Sequence, residues 1–380
     1  MKRKVVLVLC ALLITMTSCG KASQDSTGCQ CSCSGCSQCV QQTNQGIIIE
    51  DASQVLGLIP ESQSAEDEVT ESLVVETETA ETVASETQMT QVELPTVEAV
   101  QEQTDVKDLT EGEKEARRQL IQQLAQQREL LYELPNSIDK MNQIAQIDTM
   151  IIENNVYDFS EKNFSFIGDS ITEGVGGKSA EDGSKISYVN YVQEYLEIGE
   201  IMKHGMAGRM FADYGGAAYS MGKQKDNLLY PLSDATVIFL GVNDYLTGQQ
   251  DKRYGEQNAD SYSDAGYCGA VRATMKTIKN NFSNQDIFFV LVYDVDRAVE
   301  STYTDVSYSP SLEEFLDIQK TYANHFGFNI IDIYSTGVMD LTDAAIEATY
   351  TADGLHPNDS GYQLLAQHIA AELVLYYSNK

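Results

Sequence analysis

Apolar runs of four to six residues alternate with helical patterns between about residue 160 and the C-terminus of the 380-residue chain. Four runs have the composition of buried strands and occupy 164–167, 236–240, 287–292 and 328–333, and a fifth, weaker run occupies 200–203. The helical patterns occupy 262–282, 312–326 and 359–377. Because alternating strands and helices form a parallel sheet covered on both faces, the pattern predicts a three-layer α/β/α sandwich over 160–380, with a flavodoxin-like parallel five-stranded sheet.

Short polar motifs follow three of the predicted strands and precede the last predicted helix. They read GDSITEG at 168–174, HGMAGRM at 204–210, GVNDY at 241–245 and DGLHPND at 353–359. The carboxyl ends of parallel strands meet at one edge of a sheet, and ligands bind there in such folds. The motifs therefore bring a hydroxyl nucleophile, a base, an acid and hydrogen-bond donors to the same edge.

In this order, the four motifs resemble blocks I, II, III and V of the GDSL or SGNH hydrolases, a family named for its Ser, Gly, Asn and His residues. The resemblance implies a serine esterase without a cofactor or metal, with Ser170, Asp353 and His356 as the catalytic residues. It also implies an oxyanion hole built by Ser170, Gly208 and Asn243, since the second glycine of block II is usually the functional one in the family.

The chemistry of these residue types agrees with that assignment. A serine hydroxyl becomes an effective nucleophile only when a base removes its proton during the attack. His356 can be that base near neutral pH, because an imidazole titrates at about 6.5. Asp353 lies three residues before His356, a spacing at which a carboxylate can orient the ring and stabilise its protonated form.

Three other histidines compete with His356 for the role of base. His325 and His368 lie within predicted helices, where surface or packing positions are expected. His204 adjoins block II, and lining the substrate pocket is the alternative to a structural role there.

Four further residues near the motifs have structural interpretations. Asp169 and Asp244 are expected to brace their loops by hydrogen bonding. Arg209 is interpreted as a surface arginine, with binding of an anionic or sugar substrate as the alternative. Cys268 stands apart from the other cysteines and is expected to be a buried structural thiol.

The chain begins with the features of an exported protein. Basic residues at 2–4 precede an apolar run over 5–14, which has the length of a signal-peptide core. Small residues then lead into Cys19, and this sequence resembles the lipobox of bacterial lipoproteins. It implies a signal peptide over 1–18, lipidation of Cys19 and a location at the extracytoplasmic face of the cell membrane. Secretion without lipidation is the alternative.

Residues 19–110 are predicted to form a disordered tether between the lipid anchor and the folded part. Residues 51–110 contain fifteen acidic residues and one basic residue, in a chain whose net charge is −32. Such a segment buries too little apolar surface to fold, and its charges repel one another. The acidity also argues against nucleic acid as a partner.

Five cysteines near the start of the tether have three interpretations. A low-complexity spacer is favoured and disulfides come next. A zinc or copper site is third, because no histidine lies nearby and the spacing of a zinc site is absent. The residues are Cys29, Cys31, Cys33, Cys36 and Cys39.

Residues 111–155 are predicted to form a helical hairpin ahead of the sandwich. Leu120, Leu124 and Leu131 recur at helical spacing, and Pro135 separates them from a second apolar stripe. Packing of the hairpin on itself or on the sandwich is favoured, and self-association of two chains is the alternative.

Taken with the resemblance, the motifs favour hydrolysis of carboxylic esters through an acyl-serine intermediate. The substrate expected from an envelope location is an acylated, above all acetylated, carbohydrate, so that the reaction is O-deacylation. Two alternatives belong to other classes: transfer of the acyl group to a glycan hydroxyl, and a surface binding protein that keeps the fold without catalysis.

Overall fold

The computed structural model describes residues 105–212, 220–222, 224, 233–246, 266–295 and 311–380. The predicted signal peptide, Cys19, the five clustered cysteines and almost all of the predicted tether lie outside the described residues.

Five parallel strands form a central sheet: β1 (Asn163–Gly168), β2 (Glu200–Gly205), β3 (Ala235–Phe239), β4 (Asp286–Leu291) and β5 (Asn329–Asp332). Their order across the sheet is β2-β1-β3-β4-β5, and every neighbouring pair is parallel. Each strand begins and ends within two residues of the limits predicted for it. The predicted five-stranded parallel sheet is confirmed.

Helices precede, connect and follow these strands. The main described helices are α1 (Glu111–Tyr132), α2 (Ile138–Glu153), α3 (Ser170–Glu173), α4 (Tyr188–Leu196), α5 (Val242–Leu246), α6 (Tyr267–Asn281), α7 (Leu312–Phe326), α8 (Ile333–Thr336), α9 (Ala344–Tyr350) and α10 (Asp359–Ser378). In the part of the chain that the structure describes, no helix has the length and apolar character needed to cross a membrane.

The side chains of β1 alternate between the two faces of the sheet. Phe164 and Phe166 join a large hydrophobic cluster with residues of α1, α2, α4 and α10. Ile167 joins a second cluster with residues of α6 and α7. Because helices cover both faces, the inner strands β1, β3 and β4 are buried on both sides. The predicted three-layer α/β/α architecture is confirmed.

The N-terminal helices α1 and α2 pack onto this sandwich. Leu124, Leu131 and Ile147 are fully buried and belong to the same hydrophobic cluster as the strand side chains. Helix α2 lies along α10, the last helix of the sandwich. The favoured packing of the hairpin is therefore present, and its core is continuous with that of the sandwich. Self-association of two chains stays a prediction.

A buried set of charges joins the hairpin to α10. Asp148 of α2 accepts hydrogen bonds from Arg128 of α1 and from Nδ1 of His368, the latter over 2.9 Å. Arg128 also contacts Glu372 of α10. Burial opposes ionisation of Asp148, but Arg128 and His368 outweigh it and lower the pKa of this carboxyl. His368 is therefore a packing residue, as expected, and its ring also forms a hydrogen bond with Asp148 of the hairpin.

Removing the Asp148 carboxylate should destabilise the fold far more than removing a surface carboxylate of the same helix. Asp148→Ala leaves Arg128 and His368 without their shared partner, and breaking a buried ion pair costs about 3–5 kcal/mol. Asp139→Ala is the control, because Asp139 is exposed in the first turn of α2, where the expected loss is below about 1 kcal/mol. Chemical denaturation gives both free energies of unfolding, and equal losses would contradict this account.

Candidate active site

Ser170 is the first residue of α3 and follows the end of β1 by two positions. Asp169 caps this short helix, because its Oδ1 accepts a hydrogen bond from the backbone N–H of Ile171 over 2.9 Å. A Cβ on Gly168 would lie 2.0 Å from the Thr172 hydroxyl oxygen and 2.5 Å from the carbonyl oxygen of Phe239. Only glycine therefore lets the chain turn this closely against β3. The turn leaves Ser170 buried, with 5% of its surface exposed.

His356 and Asp353 lie next to Ser170. The Nε2 atom of His356 is 2.9 Å from Oγ of Ser170, and its Nδ1 atom is 2.8 Å from Oδ2 of Asp353. The other carboxylate oxygen of Asp353 accepts hydrogen bonds from the backbone N–H groups of Leu355 and His356, over 3.1 and 2.8 Å. Burial works against ionisation of Asp353, but these bonds and the charge of His356 outweigh it and lower its pKa. The carboxylate is thus charged at neutral pH and can only accept hydrogen bonds.

The loop that carries His356 and Asp353 is held from both sides. It connects α9 to α10 and is closed by a bond from the backbone N–H of Ala352 to the carbonyl oxygen of His356, over 2.8 Å. On the inner side, the buried Tyr293 hydroxyl donates to the carbonyl oxygen of Leu355 over 2.6 Å. The loop is therefore anchored to the segment that follows β4, which fixes the ring of His356 relative to the sheet.

Block II forms a tight turn over residues Met206–Arg209, which we call the block II turn. The backbone N–H of Arg209 donates to the carbonyl oxygen of Met206 over 3.0 Å, and Gly208 has a φ of 78°. A positive φ at the third position is the signature of a type II turn, which glycine forms without strain. Gly205 is a glycine for a different reason: a Cβ there would lie 2.0 Å from the backbone N of Glu173. The two glycines of the motif thus have separate structural causes.

Asn243 lies in α5, just beyond the end of β3, and its amide reaches the block II turn. Its Nδ2 donates to the carbonyl oxygen of Arg209 over 3.1 Å. This bond ties the side chain of Asn243 to the residue that directly follows Gly208. The structure thus brings two of the three predicted oxyanion donors together at the edge of the sheet where Ser170 lies.

Arg209 is buried, so its interpretation as a surface arginine is wrong. Only 6% of its surface is exposed, and its guanidinium donates to the carbonyl oxygen of Gly168 over 3.0 Å and to that of His204. These carbonyls lie towards the ends of β1 and β2, so the guanidinium links two adjoining strand ends. This contact joins residues of two strands, and no pattern along the sequence indicates it.

Asp169 and Asp244 have the bracing geometry expected of them. The two carboxylate oxygens of Asp244 accept the backbone N–H groups of Phe211 and Ala212, over 2.8 and 2.9 Å. Burial raises the pKa of Asp244 to about 7, against the effect of these backbone donors. Burial also raises the pKa of Asp169 to about 7; the nearby Asp244 adds to this shift, and Ile171 N–H and Arg209 oppose it.

The remaining candidate residues lie apart from this chemistry. His325 is exposed and packs edge-on against Phe326. His204 is partly buried, and burial and the neighbouring Arg209 lower the pKa of its ring. Cys268 is buried, which raises the pKa of its thiol to about 12. Among the residues that the structure describes, no group of three or more His, Cys, Asp or Glu side chains is arranged to hold a metal ion.

Residues 166–364, slightly more than half of the chain, match the GDSL-like Lipase/Acylhydrolase family. No curated protein matches the chain.

Similar solved structures include a protein from Lactobacillus plantarum, 18% identical over 56% of this chain and 96% of its own length, with a TM-score of 0.47. A possible lipase from Chitinophaga pinensis is 18% identical over 57% of this chain and 100% of its own, with a TM-score of 0.43. An acetyl xylan esterase is 17% identical over 56% of this chain and 99% of its own, with a TM-score of 0.39.

The raised pKa of Asp169 makes a prediction about stability and pH. A carboxyl whose pKa is raised by folding favours the folded state at low pH, and this contribution is lost as pH rises from its ordinary value of 3.8 towards about 7. Asp169→Asn removes the titration and keeps an oxygen for the N–H of Ile171. Between pH 4.5 and a pKa of about 7 the lost contribution is about 3 kcal/mol. The fall in melting temperature between pH 4.5 and 8 should therefore be smaller in Asp169→Asn than in the parent by about 6–12 °C, since 1 kcal/mol corresponds to roughly 2–4 °C.

Thermal melts across this pH range measure the effect. Asp139→Asn, at an exposed position, is the matched control and should follow the parent. A pH dependence in Asp169→Asn identical to that of the parent would show that Asp169 does not titrate in this range.

Proposed function

Since this chain belongs to the GDSL-like lipase/acylhydrolase family, we propose that it hydrolyses carboxylic esters through an acyl-serine intermediate. The observation that carries the proposal is the hydrogen-bonded series from Asp353 through His356 to Ser170, with distances of 2.8 and 2.9 Å. A hydroxyl, an imidazole and a carboxylate in this order are the groups of a catalytic triad.

In the proposed reaction, Oγ of Ser170 attacks the ester carbonyl carbon while its proton moves to Nε2 of His356. The tetrahedral intermediate collapses when the protonated ring gives this proton to the leaving alcohol, and the acyl group stays on Ser170. A water molecule then attacks the acyl-serine, again with His356 as the base, and releases the carboxylic acid. Asp353 keeps the Nδ1–H of the ring pointing towards itself, so that Nε2 faces Ser170.

The negative oxygen of each intermediate is assigned to three donors: the backbone N–H groups of Ser170 and Gly208 and the side-chain amide of Asn243. The type II geometry at Gly208 and the bond between Asn243 and Arg209 support this assignment, because both fix donor groups before substrate binds. Loss of one such donor typically costs about 3–4 kcal/mol of transition-state stabilisation.

The proposed substrate is an acetylated carbohydrate of the cell envelope or its surroundings, and the reaction is O-deacylation. The side chains of Asp353 and His356 are 50% and 18% exposed, so the pair lies where a bulky alcohol portion can approach from solvent. The lipobox-like sequence supports the same substrate class, because a lipid anchor would hold the enzyme beside such polymers.

Removing either Ser170 or His356 should abolish turnover almost completely. We expect Ser170→Ala and His356→Ala each to lower kcat by about 10⁴- to 10⁶-fold, and the double variant to be little worse, because the residues act as a unit. Hydrolysis of chromogenic acetyl esters and release of acetate from acetylated glycans measure this. A serine-directed fluorophosphonate should label the parent and leave Ser170→Ala unlabelled.

His325→Ala is the matched control, since His325 is exposed, and it should retain the activity of the parent. If the parent neither labels at Ser170 nor cleaves any ester, the alternative of a surface binding protein replaces the enzyme. If acyl-serine forms but added sugar acceptors take the acyl group in preference to water, the enzyme is an acyltransferase.

We further propose that Cys19 is lipidated and that the protein is held at the extracytoplasmic face of the membrane. Cys19→Ala should abolish incorporation of labelled fatty acid. It should also move the protein from the membrane fraction to the soluble fraction. Cys29→Ala, which alters a cysteine outside the lipobox-like sequence, is the control and should fractionate like the parent. Unchanged membrane association of Cys19→Ala would exclude Cys19 as the anchor. A parent protein that incorporates no fatty acid and is released from the cell would instead be secreted.

A further inference from the structure

Glu173 connects the helix that carries Ser170 to the block II turn. It is the last residue of α3, three positions after Ser170. Its Oε2 accepts a hydrogen bond from the backbone N–H of Ala207 over 2.7 Å, and its Oε1 accepts one from Nζ of Lys185 over 2.5 Å. The missing side chain of Gly205 lets the end of β2 approach the backbone of Glu173 closely enough for this contact.

The N–H that Glu173 binds belongs to the residue before Gly208. The turn is held on one side by the N–H of Met206, which donates to the carbonyl oxygen of Gly168 over 3.1 Å. On its other side, the carbonyl oxygen of Arg209 accepts the amide of Asn243 over 3.1 Å. The Ala207 N–H lies between these two points. Its bond to Glu173 fixes the orientation of the backbone just before the Ala207–Gly208 peptide bond, which carries the Gly208 N–H.

We propose that Glu173 is a positioning residue for the oxyanion hole, acting through the backbone of Ala207 on the N–H of Gly208. The inference rests on the proposed function of this site. Glu173 touches neither substrate nor reacting atoms in this account. Its role is to keep the Gly208 N–H aimed at the same point as the N–H of Ser170, and both Glu173 and Ser170 lie on the four-residue helix α3.

A carboxylate near an oxyanion hole is unfavourable unless its charge is offset. Lys185 supplies that charge, and the hydrogen bond from Lys185 is the main cause of the lowered pKa of Glu173. The Ala207 N–H and the charge of Lys203 lower it further, against the effect of burial. Glu173 is therefore ionised near neutral pH, and a charged acceptor holds a backbone N–H more strongly than a neutral one.

The test compares two substitutions of Glu173 in the full-length protein. Glu173→Ala removes the acceptor and should lower kcat on a chromogenic acetyl ester by roughly 10- to 100-fold, part of the effect of losing an oxyanion donor, with KM changed by less than about threefold. Glu173→Gln keeps an oxygen that can accept from Ala207 and should restore kcat to within about fivefold of the parent. Affinity for a trifluoromethyl ketone, which forms an oxyanion on the serine, should fall in parallel with kcat in Glu173→Ala.

Two controls separate positioning from stability. Lys185→Met removes the partly exposed ion pair but leaves the Ala207 bond and the charge of Lys203, so the lost charge should lower kcat by no more than about threefold, far less than in Glu173→Ala. Glu194→Ala alters an exposed glutamate of α4 and should behave like the parent. If Lys185→Met reduces kcat as much as Glu173→Ala, the ion pair and not the Ala207 bond is responsible, and the inference is overturned.

A measurement that does not need turnover separates this inference from the proposed function. Amide hydrogen exchange in a peptide spanning the block II turn should be faster in Glu173→Ala than in the parent and in Lys185→Met. If the parent cleaves no ester, the proposed function fails, and the exchange rates still decide whether Glu173 holds the turn. If the parent cleaves esters, and both kcat and exchange are the same in Glu173→Ala as in the parent, this inference alone is overturned.

Discussion

The candidate site depends on how closely the carboxyl ends of β1, β2 and β3 approach one another. Gly168 pairs with Gly205 on one side and with Phe239 on the other. Neither glycine could carry a Cβ, because the added atom would lie 2.5 Å or less from backbone of the neighbouring segments. This close approach lets α3 begin directly at the edge of the sheet. Ser170, the block II turn and Asn243 consequently share one small region, although they come from three separate strand ends.

Most of the fold could be predicted, because it depends on local patterns, whereas the pairing of Ser170 with His356 was implied by the family resemblance and by the spacing of Asp353 and His356. Strands buried on two faces give continuous apolar runs, and motifs at their carboxyl ends must meet in a parallel sheet. The environment of Arg209 could not be predicted in the same way, because a single arginine in a loop has no periodicity that shows whether it is buried. Its position is determined only in the folded sheet, where the ends of β1 and β2 lie side by side and present carbonyls to the same guanidinium. The packing of α2 on α10 agrees with the sequence of α10, which carries apolar residues on more than one side, including Leu364, Ala370 and Val374, as a helix between two layers requires.

The buried carboxylates of the chain show how partners decide the charge of a group. Asp148 and Asp244 are both almost fully buried. Asp148 faces Arg128 and His368, which outweigh desolvation and lower its pKa. Asp244 accepts two backbone N–H groups, but desolvation outweighs these donors, so its pKa rises to about 7. The charged partners of Asp148 therefore lie in the contact between the hairpin and α10, where they link α1, α2 and α10. Asp169 and Asp244, near the candidate site, instead serve as acceptors for backbone N–H groups.

Asp353 differs from both, because half of its side chain is exposed. At a separation of 4 Å, two unit charges interact by about 1 kcal/mol in water and about 4 kcal/mol near a protein surface, so exposure limits the electrostatic help that Asp353 can give to a protonated His356. Its geometric contribution is not limited in this way. One oxygen is held by two backbone N–H groups and the other faces Nδ1 of the ring. An ionised carboxylate can only accept, so Nδ1 must carry the proton, and Nε2 of the neutral ring is left as the acceptor that faces Ser170. Asp353 thus acts first by selecting the tautomer and orientation of His356, and only second by its charge.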